Sequence, residues 1–185
     1  MQSKPILFSI AFSALIFIAA AVNIDIYKMP YKTSYHSLNE ETQRQVTCLA
    51  ENIYFEAGHE PLEGKKAVAF VTINRVLTGN YAPTICDVVY QKRGNTCQFS
   101  WYCDSKILNK RLTIKETSLY NDIRDLAVHL VLNFELLDDV TSGSTYYHAD
   151  YVNPNWKKLN KVDQIGRHIF YRSKIDEINK NRSFI

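Results

Sequence analysis

The feature that most constrains this chain is a run of apolar and small residues from Ile6 to Val22, interrupted only by Ser9 and Ser13. Its length falls between a signal-peptide core of about 7–15 residues and a spanning helix of about 20. Met1 and Lys4 form a short positive start, and Ala19-Ala20-Ala21 provides an A-x-A-like cleavage site. Two readings follow: a cleaved export signal, or an uncleaved anchor with its N-terminus in the cytoplasm. A buried core helix is disfavoured, because the run is apolar all round and stands at the extreme N-terminus. Under either reading residues 1–22 form an N-terminal hydrophobic helix, 23–39 a linker and 40–185 an exported domain. Its expected location is the periplasm or cell envelope, free or anchored in the inner membrane.

The four cysteines Cys48, Cys86, Cys97 and Cys103 all lie beyond the apolar run. An even number in an exported chain predicts two disulfides, with three possible connectivities. Cys97 and Cys103 are near enough in sequence to close a local loop, and pairing Cys48 with Cys86 would then tie two distant segments. No C-x-x-C or C-x-x-H spacing occurs, so neither a zinc site nor any other metal or cofactor is expected. Of 185 residues, 46% are hydrophobic and 22% charged, which suits one soluble domain and excludes a multi-pass membrane protein. The net charge of +3 suits an anionic polymer but lacks the dense basic patch of a nucleic-acid binder, so no nucleic-acid partner is expected. Twelve tyrosines supply flat apolar faces with polar tips, a composition fit for a sugar or peptide groove.

Periodicity organises the exported part. Ser37-Leu38-Asn39-Glu40 is a capping-box pattern. Val46, Ala50, Ile53 and Ala57 then follow i, i+4, i+7, i+11, one apolar helical face that Gly58 ends. Pro61 can open a second helix over about 62–77, with Ala67, Val68, Val71 and Val76 inward and Gly79 as its stop. Tyr81 to Ser105 has little periodicity and carries three cysteines, which predicts a long, irregular, stapled loop. Thr113-Ile114-Lys115-Glu116 repeats the capping-box pattern before the strongest stripe: Tyr120, Ile123, Ala127, Leu130, Val131, Phe134 and Leu137. His129 lies beside that stripe. Ser144 to Val152 and Arg167 to Lys174 read as two short strands with a loop around Asn153 to Val162. The fold class is α+β: a mainly helical lobe, then a small antiparallel β lobe, with room for a cleft between them.

Glu56 is the residue most suited to chemistry. It falls in the last turn of the first helix at the edge of the apolar face, flanked by Phe55 and Ala57. Partial desolvation and the negative end of the helix dipole both disfavour its charge and raise its pKa. A carboxyl still protonated near neutral pH is what glycosidic cleavage requires. Glu60 and Glu63 are placed to start the second helix.

Ordered blocks extend this reading. They are Cys48-Leu49-Ala50-x-Asn52-Ile53-Tyr54-Phe55-Glu56-Ala57, Glu60-Pro61-Leu62-Glu63-Gly64, Ala67-Val68-Ala69, Asn74-Arg75-Val76, and Thr84-Ile85-Cys86-x-Val88-Val89-Tyr90-Gln91. Cys97-Gln98-Phe99-Ser100-Trp101-x-Cys103-Asp104, Tyr147-His148-Ala149-Asp150-Tyr151-Val152 and Ile165-Gly166-x-His168-Ile169-Phe170-Tyr171 complete the set. From Cys48 to Tyr171 the sequence resembles the SleB-type cell wall hydrolases, named for the spore cortex-lytic enzyme. The resemblance implies a lysozyme-related lobe and cleavage of peptidoglycan between N-acetylmuramic acid and N-acetylglucosamine, as a lytic transglycosylase with Glu56 as catalytic acid and base. A muramidase-type hydrolase of the same bond is the alternative, with Glu60, Glu63 or Asp150 as second carboxylate. The family usually reads Glu-Ala-Arg-Gly-Glu-Pro where this chain has Gly58-His59 in place of Arg-Gly, which changes the turn and any charge partner of the Arg.

The substrate contacts expected are Glu60, Gln98, Phe99, Ser100, Tyr147 and His148. Alternation along a strand sets Tyr147 opposite Tyr146 and His148, so one face or the other meets substrate, not both. Trp101 and Trp156 serve either as platforms or in packing. The expected partners are peptidoglycan and, if the N-terminal segment is retained, the membrane; the expected state is a monomer. Two rival readings are weaker. A zinc amidase would need a ligand helix where His59-Glu60-Pro61 puts proline. A non-catalytic peptidoglycan-binding scaffold has only the Gly58 difference in its favour.

Overall fold

The computed structural model describes residues 33–176. Among these, no helix is long and apolar enough to cross a membrane, and the N-terminal hydrophobic helix expected at 1–22 lies outside the described residues.

Helix α1 (Glu40–Ala57) buries Val46, Leu49, Ala50, Ile53 and Ala57, the face that periodicity predicts. Its cap differs from the expected one. Asn39 Oδ1 accepts from Thr42 N at 2.8 Å, while Ser37 Oγ donates to Ser34 O within a 3-10 turn over Tyr35–Ser37. That turn, read as the end of the linker, packs on the helices through Tyr35, whose Oη lies 2.9 Å from Thr47 Oγ1 and whose ring faces Arg124.

Helix α2 (Leu62–Thr78) is the central element: from Ala67 to Leu77 every residue is buried, polar Thr72, Asn74 and Arg75 included. Gly79 ends it at φ +75°, a left-handed conformation that glycine adopts without strain. The stretch expected to be irregular holds a short helix α3 (Ile85–Val89), capped by Thr84 Oγ1 on Asp87 N, and a two-stranded hairpin of β1 (Lys92–Arg93) and β2 (Thr96–Cys97). Single turns α4 (Ser105–Leu108) and α5 (Arg111–Ile114) follow. Both disulfides form, Cys48–Cys86 between α1 and α3 and Cys97–Cys103 across the loop.

Helix α6 (Ser118–Asn133) packs against α1 and buries Tyr120, Ile123, Ala127, Leu130 and Val131. Its cap is Thr117, which accepts from Tyr120 N, and not Thr113, which belongs to α5. The local capping-box match fails both times for one reason: the cap is whichever side-chain oxygen reaches a free N–H once tertiary packing has set the first turn.

The β lobe is a three-stranded antiparallel sheet in the order β3 (Tyr146–Ala149), β5 (His168–Ser173), β4 (Leu159–Ile165). Strand β4 occupies ground expected to be loop. A register shift between Lys161 and Asp163 breaks its alternation, so no period of two is visible there. The inner face of the sheet rests on α2 through Phe170, Ala67 and Val71, with Tyr147 and Ile165 beside them.

Candidate active site

Two adjacent polar residues of buried α2 set the position of β3. Asn74 Nδ2 donates to Asp139 Oδ2 (2.8 Å), to Thr141 Oγ1 (3.3 Å) and to Ser144 O (3.1 Å). Arg75 Nε donates to Thr145 O at 2.8 Å. Asp139 in turn accepts from Thr141 N and Gly143 N, closing the tight turn where Ser142 and Gly143 take positive φ. These bonds deliver Tyr147, two residues beyond Thr145, to the end of α1.

There Tyr147 Oη donates to Glu56 Oε2 at 3.0 Å. Burial raises the Glu56 pKa; the phenol hydrogen bond and the Arg75 charge pull it down, and burial prevails. Tyr147 is held well above the ordinary phenol range by its own burial and by the charge of Glu56, so it donates as a neutral phenol. The His168 ring stands edge-on to Tyr147 with centroids 5.2 Å apart. His168 is buried, its Nδ1 lacks a hydrogen-bond partner, and burial pushes its pKa below the usual imidazole range.

Arg75, quoted in the sequence only as part of the Asn74-Arg75-Val76 block, proves to be the cation whose charge acts on Glu56. It is 4% exposed, with its guanidinium 5.1 Å from the Phe99 ring centroid and 5.6 Å from that of Tyr81. With the Gln98 amide oxygen turned toward it, Gln98 accepts from Arg75 Nη1 at 3.0 Å and from Nη2 at 3.3 Å. The pair Asn74-Arg75 in an apolar helical run was the available signal, since a buried arginine needs partners. The stapled loop that carries Gln98 is fixed to α1 by Trp101, whose ring stacks on Phe55 at 4.6 Å and whose Nε1 donates to Asn52 Oδ1 at 2.9 Å.

The expected substrate contacts therefore separate. Tyr147 meets Glu56, and Gln98 reaches its electrostatic partner Arg75. Phe99, expected at the substrate, is 3% exposed and forms core packing beneath Arg75. Ser100 is exposed at the start of a 3-10 turn. His148 turns to the opposite sheet face, stacked on Tyr171 and edge-on to Trp156, as strand alternation requires once Tyr147 points inward. Glu60 Oε2 accepts from Arg167 N at 3.2 Å in the β4–β5 turn. Gly166 stands beside it at φ +58°, where a Cβ would collide with the same oxygen. Of the other carboxylates, Glu63 pairs with Lys66, and Asp150 lies 3.8 Å from Arg167. Gly58 and exposed His59 bring no cation to Glu56; the charge acting on it is that of Arg75. Among the described residues, no three His, Cys, Asp or Glu side chains gather in a way that could hold a metal ion.

Comparison with known proteins bears on the same region. Residues 59–171 match the Cell Wall Hydrolase family, a span that begins three residues past Glu56. The spore cortex-lytic enzyme of Bacillus cereus is 28% identical over 145 residues, 77% of this chain and 50% of that protein. That of Oceanobacillus iheyensis is 26% identical over 131 residues, 70% of this chain and 42% of that protein. The chain thus spans about half the length of the curated relatives it matches. The crystal structure of the catalytic domain of the Bacillus cereus SleB protein aligns with a TM-score of 0.53 at 23% identity, covering 73% of this chain and 94% of that one. The catalytic domain of the germination-specific lytic transglycosylase SleB from Bacillus anthracis aligns with a TM-score of 0.53 at 22% identity, covering 73% and 99%. These likenesses show the fold: a helical body with small antiparallel sheets.

Proposed function

Because the chain belongs to the cell wall hydrolase family, we propose that it cleaves peptidoglycan glycan strands between N-acetylmuramic acid and N-acetylglucosamine as a lytic transglycosylase, with Glu56 as acid and base. The observation that carries this reading is the Glu56 carboxyl itself, desolvated enough for its pKa to rise and held through one oxygen by Tyr147.

The hydrogen bond from Tyr147 occupies Oε2 and leaves Oε1 for the substrate. Protonated Glu56 donates to the bridging oxygen as the bond from muramic C1 to that oxygen breaks. Positive charge develops at C1, and Glu56 is left as a carboxylate, steadied by the Tyr147 hydrogen bond and the Arg75 charge. That carboxylate takes the proton of the muramic C6 hydroxyl while O6 bonds to C1, which closes a 1,6-anhydro ring. No water is consumed and Glu56 ends protonated again. A hydrolase would place a second carboxyl about 5–5.5 Å away for retention or about 6.5–9.5 Å for inversion. The engagements of Glu60, Glu63 and Asp150 favour the single-carboxyl route. The two disulfides and the cell wall substrate together favour an extracytoplasmic site of action.

The test is a digest of purified sacculi by the full-length chain and its Glu56→Gln variant, with mass spectrometry of the soluble products. Anhydro-muropeptides from the wild type and none from the variant are expected. Reducing-end muropeptides would make the enzyme a hydrolase, and no product from folded wild type would leave a binding role.

A further inference from the structure

Beside the Arg75 cluster, between the C-terminal end of α2 and the β1–β2 hairpin, lies a depression of about 610 Å³. Asn80, Tyr81, Gln91, Arg93, Thr96 and Gln98 line it together with Lys92, and no carboxylate does. Asp176, which accepts from the lining residue Asn80 through its Nδ2, is 6% exposed and turns inward to Thr145. The basic side is exposed but built. Lys92 and Arg93 sit on β1, paired with Cys97 and Thr96, and the Cys97–Cys103 disulfide pins that hairpin to the following turn. The Lys92 ammonium rests over the Tyr102 ring at 4.6 Å.

The depression continues the candidate active site, because Tyr81 and Gln98 belong to both: each contacts Arg75, whose charge acts on Glu56. A ligand here needs carboxylates for the two cations and a covalent link to the sugar at Glu56. The peptide stem of peptidoglycan has both, since it hangs from the lactyl group of the muramic acid whose bond is cleaved. We propose that this depression binds the stem peptide, its carboxylates over Arg93 and Lys92, so that the enzyme selects glycan carrying peptides over bare glycan. The inference rests on the peptidoglycan reading above.

The test compares turnover by the full-length chain of two glycan preparations, one with its stem peptides and one stripped of them by an amidase. The wild type is expected to prefer the peptide-bearing strands. Arg93→Glu, at an exposed position, is expected to narrow that preference about tenfold in kcat/KM, and raised salt to narrow it in the wild type. Equal turnover of both preparations by the wild type, or an unchanged preference in Arg93→Glu, overturns the stem-peptide site and leaves the cleavage reading standing. Cleavage of neither preparation overturns the cleavage reading, and this inference with it.

Discussion

Glu51 and Glu56 stand five residues apart on one helix, and the fold treats their carboxyls in opposite ways. Glu51 has no solvent exposure. It accepts from Tyr90 Oη at 2.7 Å and from Arg111 Nε at 2.6 Å, and Lys115 Nζ lies 3.4 Å away. Glu56 is partly exposed and has one phenol as hydrogen-bond donor, with its cation acting through space. Five residues turn a helix by about 140°, so the two side chains leave different faces. One face meets the α5 segment and its cations. The other meets the β lobe, which offers a neutral donor. Burial depth alone does not decide a carboxyl's proton affinity: the more deeply buried one is matched by cations, while the shallower one, the proposed acid, has a raised pKa.

This contrast can be broken at either end. The largest effect expected is Glu56→Gln, which lowers turnover of sacculi by about 10³-fold or more while the fold persists. The stability of this variant runs the other way. A folded-state pKa above the unfolded value means that ionising Glu56 opposes folding. The wild type therefore loses stability as pH rises from the ordinary glutamate value through the raised one. Thermal melts across that window show this slope in the wild type, and Glu56→Gln lacks it. The slope persisting in the variant would sink the assignment.

Glu51→Ala is expected to do the reverse, costing about 3 kcal/mol in chemical denaturation by orphaning a partly buried arginine, with turnover per folded molecule retained. Tyr147→Phe sits between the two. It removes a lowering influence on Glu56, so the pKa rises further and the alkaline limb of the kcat/KM–pH profile moves to higher pH. Its rate should fall about tenfold, as the carboxylate left after proton donation loses one donor. A limb that stays in place would show that Tyr147 does not act on the acid. The smallest effect expected is Lys115→Ala, about 0.5 kcal/mol in the same denaturation assay, because its side chain is 41% exposed and its charge is screened.

The helical body was legible because burial follows period. The stripe of α1 is buried where spacing places it and that of α6 from Tyr120 to Val131, while Phe134 and Leu137 fall half-buried beyond the helix end, and Gly79 stops α2 where glycine allows a positive φ. The misses have local causes. Asn39 and Thr117 cap α1 and α6, displacing the box residues Ser37 and Thr113, and the register shift at Lys161 hides β4. Helical position marked Glu56 as a candidate and the resemblance singled it out, whereas Tyr147 appeared only as one of two alternating faces. Arg75 was marked only as a charged residue in an apolar run, because α2 is buried all round and periodicity there does not say which way it points.

By itself, the sequence determined where the three long helices lie, that the cysteines can close two bridges, and that a glutamate ends an apolar face at the negative end of a helix. Those are properties of neighbours along the chain. Only the tertiary structure decided which phenol donates to Glu56, which arginine's charge acts on it, and which cations surround Glu51. Each of these joins residues far apart in sequence, 91 positions for Glu56 and Tyr147 and 60 for Glu51 and Arg111. A carboxyl's proton affinity depends on the field of whatever packs around it, and that field exists only once the chain has folded.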